Sequence, residues 1–222
     1  MASIARNTFY LTVAKALNTA IYAVFGLFLP RFVPAEQVGV YGLMTTLIFF
    51  GSFAASFGIP LVLVRALAKD KAEIRALFVD ARASMMAAAL LAGLAILGYM
   101  LLEMSFQEQM DVRRALLAFL VGGILLGDAI GAVGESIYQA HEEMELPALV
   151  EAGAGAFRAA FSVLALMVLP EPSRLFGVFG IFLIGSAGRG FLLAKLAQRR
   201  FLPGPLPPPS SRRSFRLLRE SL

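Results

Sequence analysis

Residues 38–64 read VGVYGLMTTLIFFGSFAASFGIPLVLV, 27 residues without one charged side chain. A helix crosses the hydrocarbon of a bilayer with about 20 residues, so this run spans once with a surplus. The surplus falls at Phe57-Gly58-Ile59-Pro60, where the proline removes a helix hydrogen bond and predicts a kink. In lipid the backbone N–H and C=O groups have no water partners and must be satisfied within the segment, which makes the run a helix.

Working outward, five further stretches have the same character. The first span runs from about Phe9 to Leu29, interrupted by Lys15 and Asn18, and the third from Ala83 to Leu102. The fourth covers about Ala115 to Gln139 with Asp128 and Glu135 inside, and the fifth Leu146 to Leu169 with Glu151 and Arg158. The sixth covers Leu175 to Leu196, with Arg189 inside and Lys195 near its end. Runs such as Met85 to Leu102 are apolar on every side, without the alternation of a membrane barrel. The expected fold class is therefore an all-α membrane protein of six transmembrane helices. Abundant Gly and Ala, Gly122, Gly127, Gly131 and Gly134 among them, suit close helix–helix approach in lipid.

Composition agrees. Of 222 residues 59% are hydrophobic and 16% charged, against about 25% charged in soluble domains. A soluble fold of this size would leave roughly a third of its chain surface in water, too much for so apolar a chain. No cysteine is present, which excludes disulfides and thiolate metal sites. No basic run is interleaved with stacking aromatics, so nucleic acid is not an expected partner. Arg6 before an apolar run has the opening of a signal peptide, but Lys15 and Asn18 interrupt that run and no small-residue cleavage site ends it. The first span reads as uncleaved.

Lys and Arg in the loops set the orientation. With both termini cytoplasmic, the inner segments hold thirteen of them, among them Arg65, Lys69, Arg82 and Arg199, while Arg31, Arg113, Arg114 and Arg174 fall outside. The loop His141–Glu145 dissents with three acids and no Lys or Arg, but acids count little in this rule. Residues 1–200 form the expected transmembrane lobe and 201–222 a linker. Within the linker, Leu202 to Pro209 holds five prolines and predicts an extended spacer. Ser210 to Leu222 reads as a basic amphipathic helix drawn to anionic membrane lipids.

Ionisable groups inside spans normally face a bundle interior or a watery cavity. Asp128 and Glu135 are seven residues apart and share a face of the fourth helix, as do Glu151 and Arg158 on the fifth. Folding these helices as an antiparallel hairpin about Glu143 sets Asp128 level with Arg158 and Glu135 level with Glu151, in two layers about 10 Å apart. The expectation is an Asp128–Arg158 ion pair below two carboxylates that cannot comfortably both ionise, one holding a proton or a cation. Asp128, Glu135 and Glu151 then form either a cation-coupling site or a structural polar seam. Lys15, three residues from Asn18, faces an anionic substrate or snorkels to the interface. Arg65 and Arg31 aim into a cavity or anchor at the membrane surface. Arg189, between Gly188 and Gly190, has the same two readings.

His141 is the single histidine, and Ser136 and Ser186 have none at matching depth to act as base. There is no Walker loop and no HExxH helix. The sequence does not read as an enzyme, and it calls for no cofactor and no metal.

Arg31-Phe32-Val33-Pro34-Ala35-Glu36-Gln37-Val38-Gly39-Val40-Tyr41-Gly42 resembles the N-terminal half of bacterial polysaccharide flippases, of the multidrug/oligosaccharidyl-lipid/polysaccharide exporter superfamily. Phe57-Gly58-Ile59-Pro60 with Arg65, and Tyr138-Gln139-Ala140-His141-Glu142-Glu143-Met144, extend the likeness across nearly the whole chain. The turn reads Phe-Val-Pro where the family has a Leu-Gly-Pro-like turn. Such flippases have two pseudo-repeated lobes of six helices, and this chain holds one. The resemblance therefore implies a missing C-terminal lobe or a second copy as partner. It also implies movement of a lipid-linked oligosaccharide or polysaccharide precursor across the bacterial inner membrane by alternating access. A pyrophosphate head needs cationic side chains. The motif carries Arg31 and Arg65 over as candidates, while Lys15 and Arg158 are candidates by depth. Cation-coupled multidrug efflux and a non-transporting membrane scaffold are the other readings.

Overall fold

The computed structural model describes residues 2–69, 74–106 and 112–210. Seven α-helices fill it: α1 Ala2–Phe28, α2 Ala35–Ser56, α3 Ile59–Lys69, α4 Ile74–Phe106, α5 Val112–Ala140, α6 Glu145–Val168 and α7 Arg174–Phe201. Single 3₁₀ turns stand at Leu29–Arg31 and Glu171–Ser173. Taking α2 and α3 together, six segments are long and apolar enough to cross a membrane. The third span, read as 83–102, is the middle of α4, which extends beyond it at both ends. The basic amphipathic helix expected over 210–222 lies outside the described residues, save for Ser210.

The second span is broken rather than kinked. Phe57 caps α2 in the left-handed region (φ 38°) and Gly58 follows at φ 75°. Pro60 therefore stands in the first turn of α3, where a helix has no partner for a backbone N–H anyway. Leu61 and Val62 N–H both return to the Gly58 carbonyl at 3.0 and 3.2 Å. The hydrogen bond that a mid-helix proline would lose is never formed here.

The helices alternate between two ends. The near end carries the start of α1, the α3–α4 and α5–α6 connections and the end of α7; the far end carries the two 3₁₀ turns and the α4–α5 connection. α5 is the hub, packing against α2, α3, α4 and α7, while α6 lies between α7 and α1. α5 and α7 run parallel. A Cβ at Gly127 would stand 2.7 Å from Ala187 N, and one at Gly134 2.9 Å from Leu193 C, so the two backbones touch. Close approach of this kind replaces the hydrophobic drive that lipid does not supply.

At the far end, rings from three helices meet: Phe25 and Tyr41 at 5.9 Å, Tyr41 and Phe179 at 5.8 Å, Tyr22 and Phe182 at 6.0 Å between centroids. Arg174 donates to the Leu169 carbonyl at 3.1 Å and to that of Phe32, tying the two far-end turns. At the near end Arg200 pairs with Glu143 at 2.9 Å. Outward faces are oily: Leu91, Phe119, Leu149 and Phe191 are exposed, a surface suited to lipid. The proline-rich segment lies against the bundle. Leu202 is buried, Arg75 donates to the Pro203 carbonyl, and Ser210 N–H donates to buried Asp80 at 2.6 Å.

Candidate functional site

Four of the deep ionisable residues meet at one place. Arg189 of α7 lies 2.8 Å from Glu135 and 3.9 Å from Asp128, both on α5, and pairs through Nε with Glu151 of α6. Its side chain is 12% exposed and the three acids 27–29%. Glu151 also accepts from Asn18 Nδ2 of α1 at 2.9 Å, and its backbone carbonyl from the same nitrogen at 3.3 Å. Three helices are thereby tied through one guanidinium, and α1 joins them through Glu151. The guanidinium's forked, planar donors suit several carboxylates at once, as a point-charge ammonium would not.

Two glycines make the arrangement possible. A Cβ at Gly131 would stand 2.9 Å from an Arg189 Nη, so its absence gives the guanidinium its seat on α5. Asn18 lies so close against Gly155 that no Cβ fits there, and α1 docks on α6 through that notch.

This geometry corrects the hairpin expectation. Asp128 pairs with Arg189, not with Arg158. The hairpin register considered α5 and α6 alone, whereas α7 brings its arginine between both. Glu135 and Glu151 do share a site, but a cation stands between them. The signal available in the sequence was arithmetic: three deep acids and two deep arginines, one of them flanked by glycines.

Beside the cluster lies a cavity of about 420 Å³, lined by Ser52, Phe53 and Ser56 of α2, by Asp128, Glu151 and Arg189, and by Arg158. The Arg158 stem crosses Gly185 of α7, where a Cβ would meet its Cγ at 2.6 Å. Its Nε is buried and has no hydrogen-bond partner among the described residues. Arg189 is committed to three carboxylates, and Arg158 is the second cation in the lining of this cavity.

The other candidate cations are elsewhere. Lys15 is exposed on α1 although Asn18, three residues on, is buried. Arg31 is exposed at the far end, its guanidinium 4.9 Å from the Phe28 ring centroid. Arg65 is exposed on α3 toward the near end. One long span separates Arg31 from Arg65, so the four cations do not form one cluster. Among the described residues no group of three His, Cys, Asp or Glu is arranged to hold a metal ion.

The family model for polysaccharide biosynthesis proteins matches residues 4–222. The chain belongs to that family. Its fold is similar to a solved MOP superfamily transporter from Pyrococcus furiosus, with 16% identity and a TM-score of 0.62. The match covers 99% of this chain and 50% of that one, so the chain spans half the length of that transporter. Of that protein it is reported that a reversed polarity of the binding pocket suggests a different function. No curated protein matches the chain. This member of the polysaccharide biosynthesis family is a multi-pass membrane protein in which Asp128, Glu135 and Glu151 converge on Arg189.

Proposed function

We propose that the chain is one six-helix lobe of a transporter that flips lipid-linked oligosaccharide or polysaccharide precursors across the bacterial inner membrane by alternating access, with both termini cytoplasmic. The observation that carries this reading is the charged cavity inside an otherwise oily bundle, with Arg158 at its wall. A guanidinium at mid-helix depth is costly in lipid and is retained where it meets a partner or a ligand. The anionic head of a lipid-linked sugar is such a ligand. Arg31 and Arg65, at opposite ends of one span, would meet that head on its two sides of the membrane, and Lys15 would meet it on the exposed face of α1. The complementary lobe, as a second polypeptide or a second copy, completes the path.

Flipping of a fluorescent lipid-linked oligosaccharide in proteoliposomes tests the reading, with the complementary lobe supplied. Arg158→Ala is expected to lower the rate at least about tenfold, as loss of one charge-assisted contact. Silence from folded, correctly assembled protein would assign a scaffold role instead. Orientation has its own test, helped by the cysteine-free chain. Glu142→Cys is expected to be labelled only from the cytoplasm and Glu171→Cys only from outside.

A second reading rests on the three carboxylates around one guanidinium. Asp128, Glu135 and Glu151 would couple transport, of drugs or of sugar lipids, to a cation gradient by exchanging Arg189 for a proton or metal ion. Flipping that is indifferent to imposed proton and sodium gradients would remove it.

A further inference from the structure

A second cavity, of about 660 Å³, lies between α4 and α7 on the opposite face of α5 from the charged one. Gly123, Gly127 and Ile130 face it, whereas Leu125, Asp128 and Ala132 face the charged cavity. At 100° per residue these two sets stand on opposite sides of one helix. The groove is therefore separate from the site assigned above, and it is independent of the reading given there.

Its lining is divided. Met86, Leu126, Ile130 and Phe191 are apolar, and Arg82 and Lys195 complete the wall. Arg82 comes about 12 Å along α4 from its near-end start, and Lys195 about 9 Å before α7 finishes at the same end. Both cations thus stand at one level, at the near-end rim of an apolar slot. Their recorded contacts are with rings: Arg82 lies 5.5 Å from the Phe78 centroid and Lys195 5.2 Å from that of Phe191. No ion pair or hydrogen bond to a carboxylate holds either one among the described residues. Phe191 and Met86 are exposed at the groove, presenting its apolar wall to the bilayer.

We propose that this groove is a binding site for one anionic phospholipid of the bilayer, with its phosphate between Arg82 and Lys195 and an acyl chain along Met86, Ile130 and Phe191. Charge complementarity selects the occupant. A slot between two spans offers hydrocarbon contact to any lipid, but two unneutralised cations at the headgroup level favour a negative headgroup over a zwitterionic one. Basic pockets between transmembrane helices bind anionic lipid heads in this way. Gln198, on the same rim, adds an amide donor for a phosphate or glycerol oxygen.

The chain has no tryptophan, so Phe191→Trp places a single fluorescent reporter in the groove. In proteoliposomes, acyl-brominated phosphatidylglycerol is expected to quench it in preference to acyl-brominated phosphatidylcholine. A relative affinity of about twenty-five-fold is expected, roughly fivefold for each cation near the surface. Adding Arg82→Gln and Lys195→Gln should abolish the preference while leaving quenching by phosphatidylcholine unchanged, which also shows the variant is folded and inserted. A reporter at Phe119→Trp, exposed on α5 toward the far end, should show no preference. Equal quenching by the two lipids overturns the proposal, as does a preference that survives the double substitution. Absence of quenching by either lipid also overturns it, because the groove would then be filled by protein, from residues 211–222 or from another chain.

Discussion

The α5–α7 and α1–α6 interfaces lie side by side and are built on opposite plans. Between α5 and α7 small residues let backbone meet backbone, and neither helix can shift without a clash. Between α6 and α1 the contact is keyed by one polar side chain, Asn18, lodged against Gly155 and bonded to Glu151. Along the rest of α1, Phe9, Val13, Leu17, Val24 and Leu27 point outward, while Ala14 and Phe25 are buried. Lipid solvates apolar faces as well as protein does, so dense backbone contact makes a fixed joint and a single polar key makes a releasable one. Arg189 belongs to both, anchored on α5 and reaching the α6 acid that holds α1.

Substitutions can break that contrast, and the largest effect is expected at the shared residue. Arg189→Leu strands three carboxylates and should cost about 3–5 kcal/mol, the range for removing one partner of a buried ion pair. Thermal denaturation in detergent reads the loss. Adding Asp128→Asn, Glu135→Gln and Glu151→Gln should recover most of it, and failure of that rescue would make the guanidinium's packing, not its charge, the stabilising factor. Next comes Gly127→Val, which drives a branched side chain into the α7 backbone and is expected to cost about 3 kcal/mol, with loss of monodisperse protein by size exclusion. Asn18→Ala should cost only about 1 kcal/mol, because a polar contact in a membrane protein averages well below its value in isolation. Its sharper signature is faster cysteine labelling along α1 with no change along α7; equal change in both would erase the contrast. The smallest effect is at Gly98 of α4, where a Cβ meets nothing within 4 Å. Gly98→Ala should leave stability unchanged or raise it by about 0.5–1 kcal/mol.

The spans were legible because lipid imposes a simple rule: a stretch with few charges and near the right length must be helical. Runs 38–64 and 83–102 declared themselves on that ground alone. Their ends were not legible, because Arg75 and Arg82 lie on α4 outside the charge-free window and a helix continues through charged turns at no great cost in water. The break at Phe57–Gly58 was visible as a disturbance at Pro60. Its form depended on where the proline fell relative to a helix start, and a proline in a first turn is harmless where one in mid-helix is not.

The candidate site divided along similar lines. That Asp128, Glu135, Glu151, Arg158 and Arg189 were special followed from their depth, since a charge in hydrocarbon must be compensated. Their partners did not follow, because pairing depends on which helices touch, and an antiparallel hairpin was the only neighbour relation that chain order supplied. α7 follows α6 after a short turn, but it also runs parallel to α5 and packs against it, and no local pattern announces that. The two arginines of the resembling motifs, Arg31 and Arg65, are set apart by the span between them.

By itself, then, the sequence determined the solvent, the number of crossings and the list of charges that had to be satisfied, because all three depend on composition along a single helix. The tertiary structure alone decided that Arg189 is the shared counter-charge and that Arg158 lines the same cavity beside it. It also decided that α5 divides a charged face from an oily groove. Those are relations between helices, and the glycine contacts that join α5 to α7 have partners about sixty residues away in the chain.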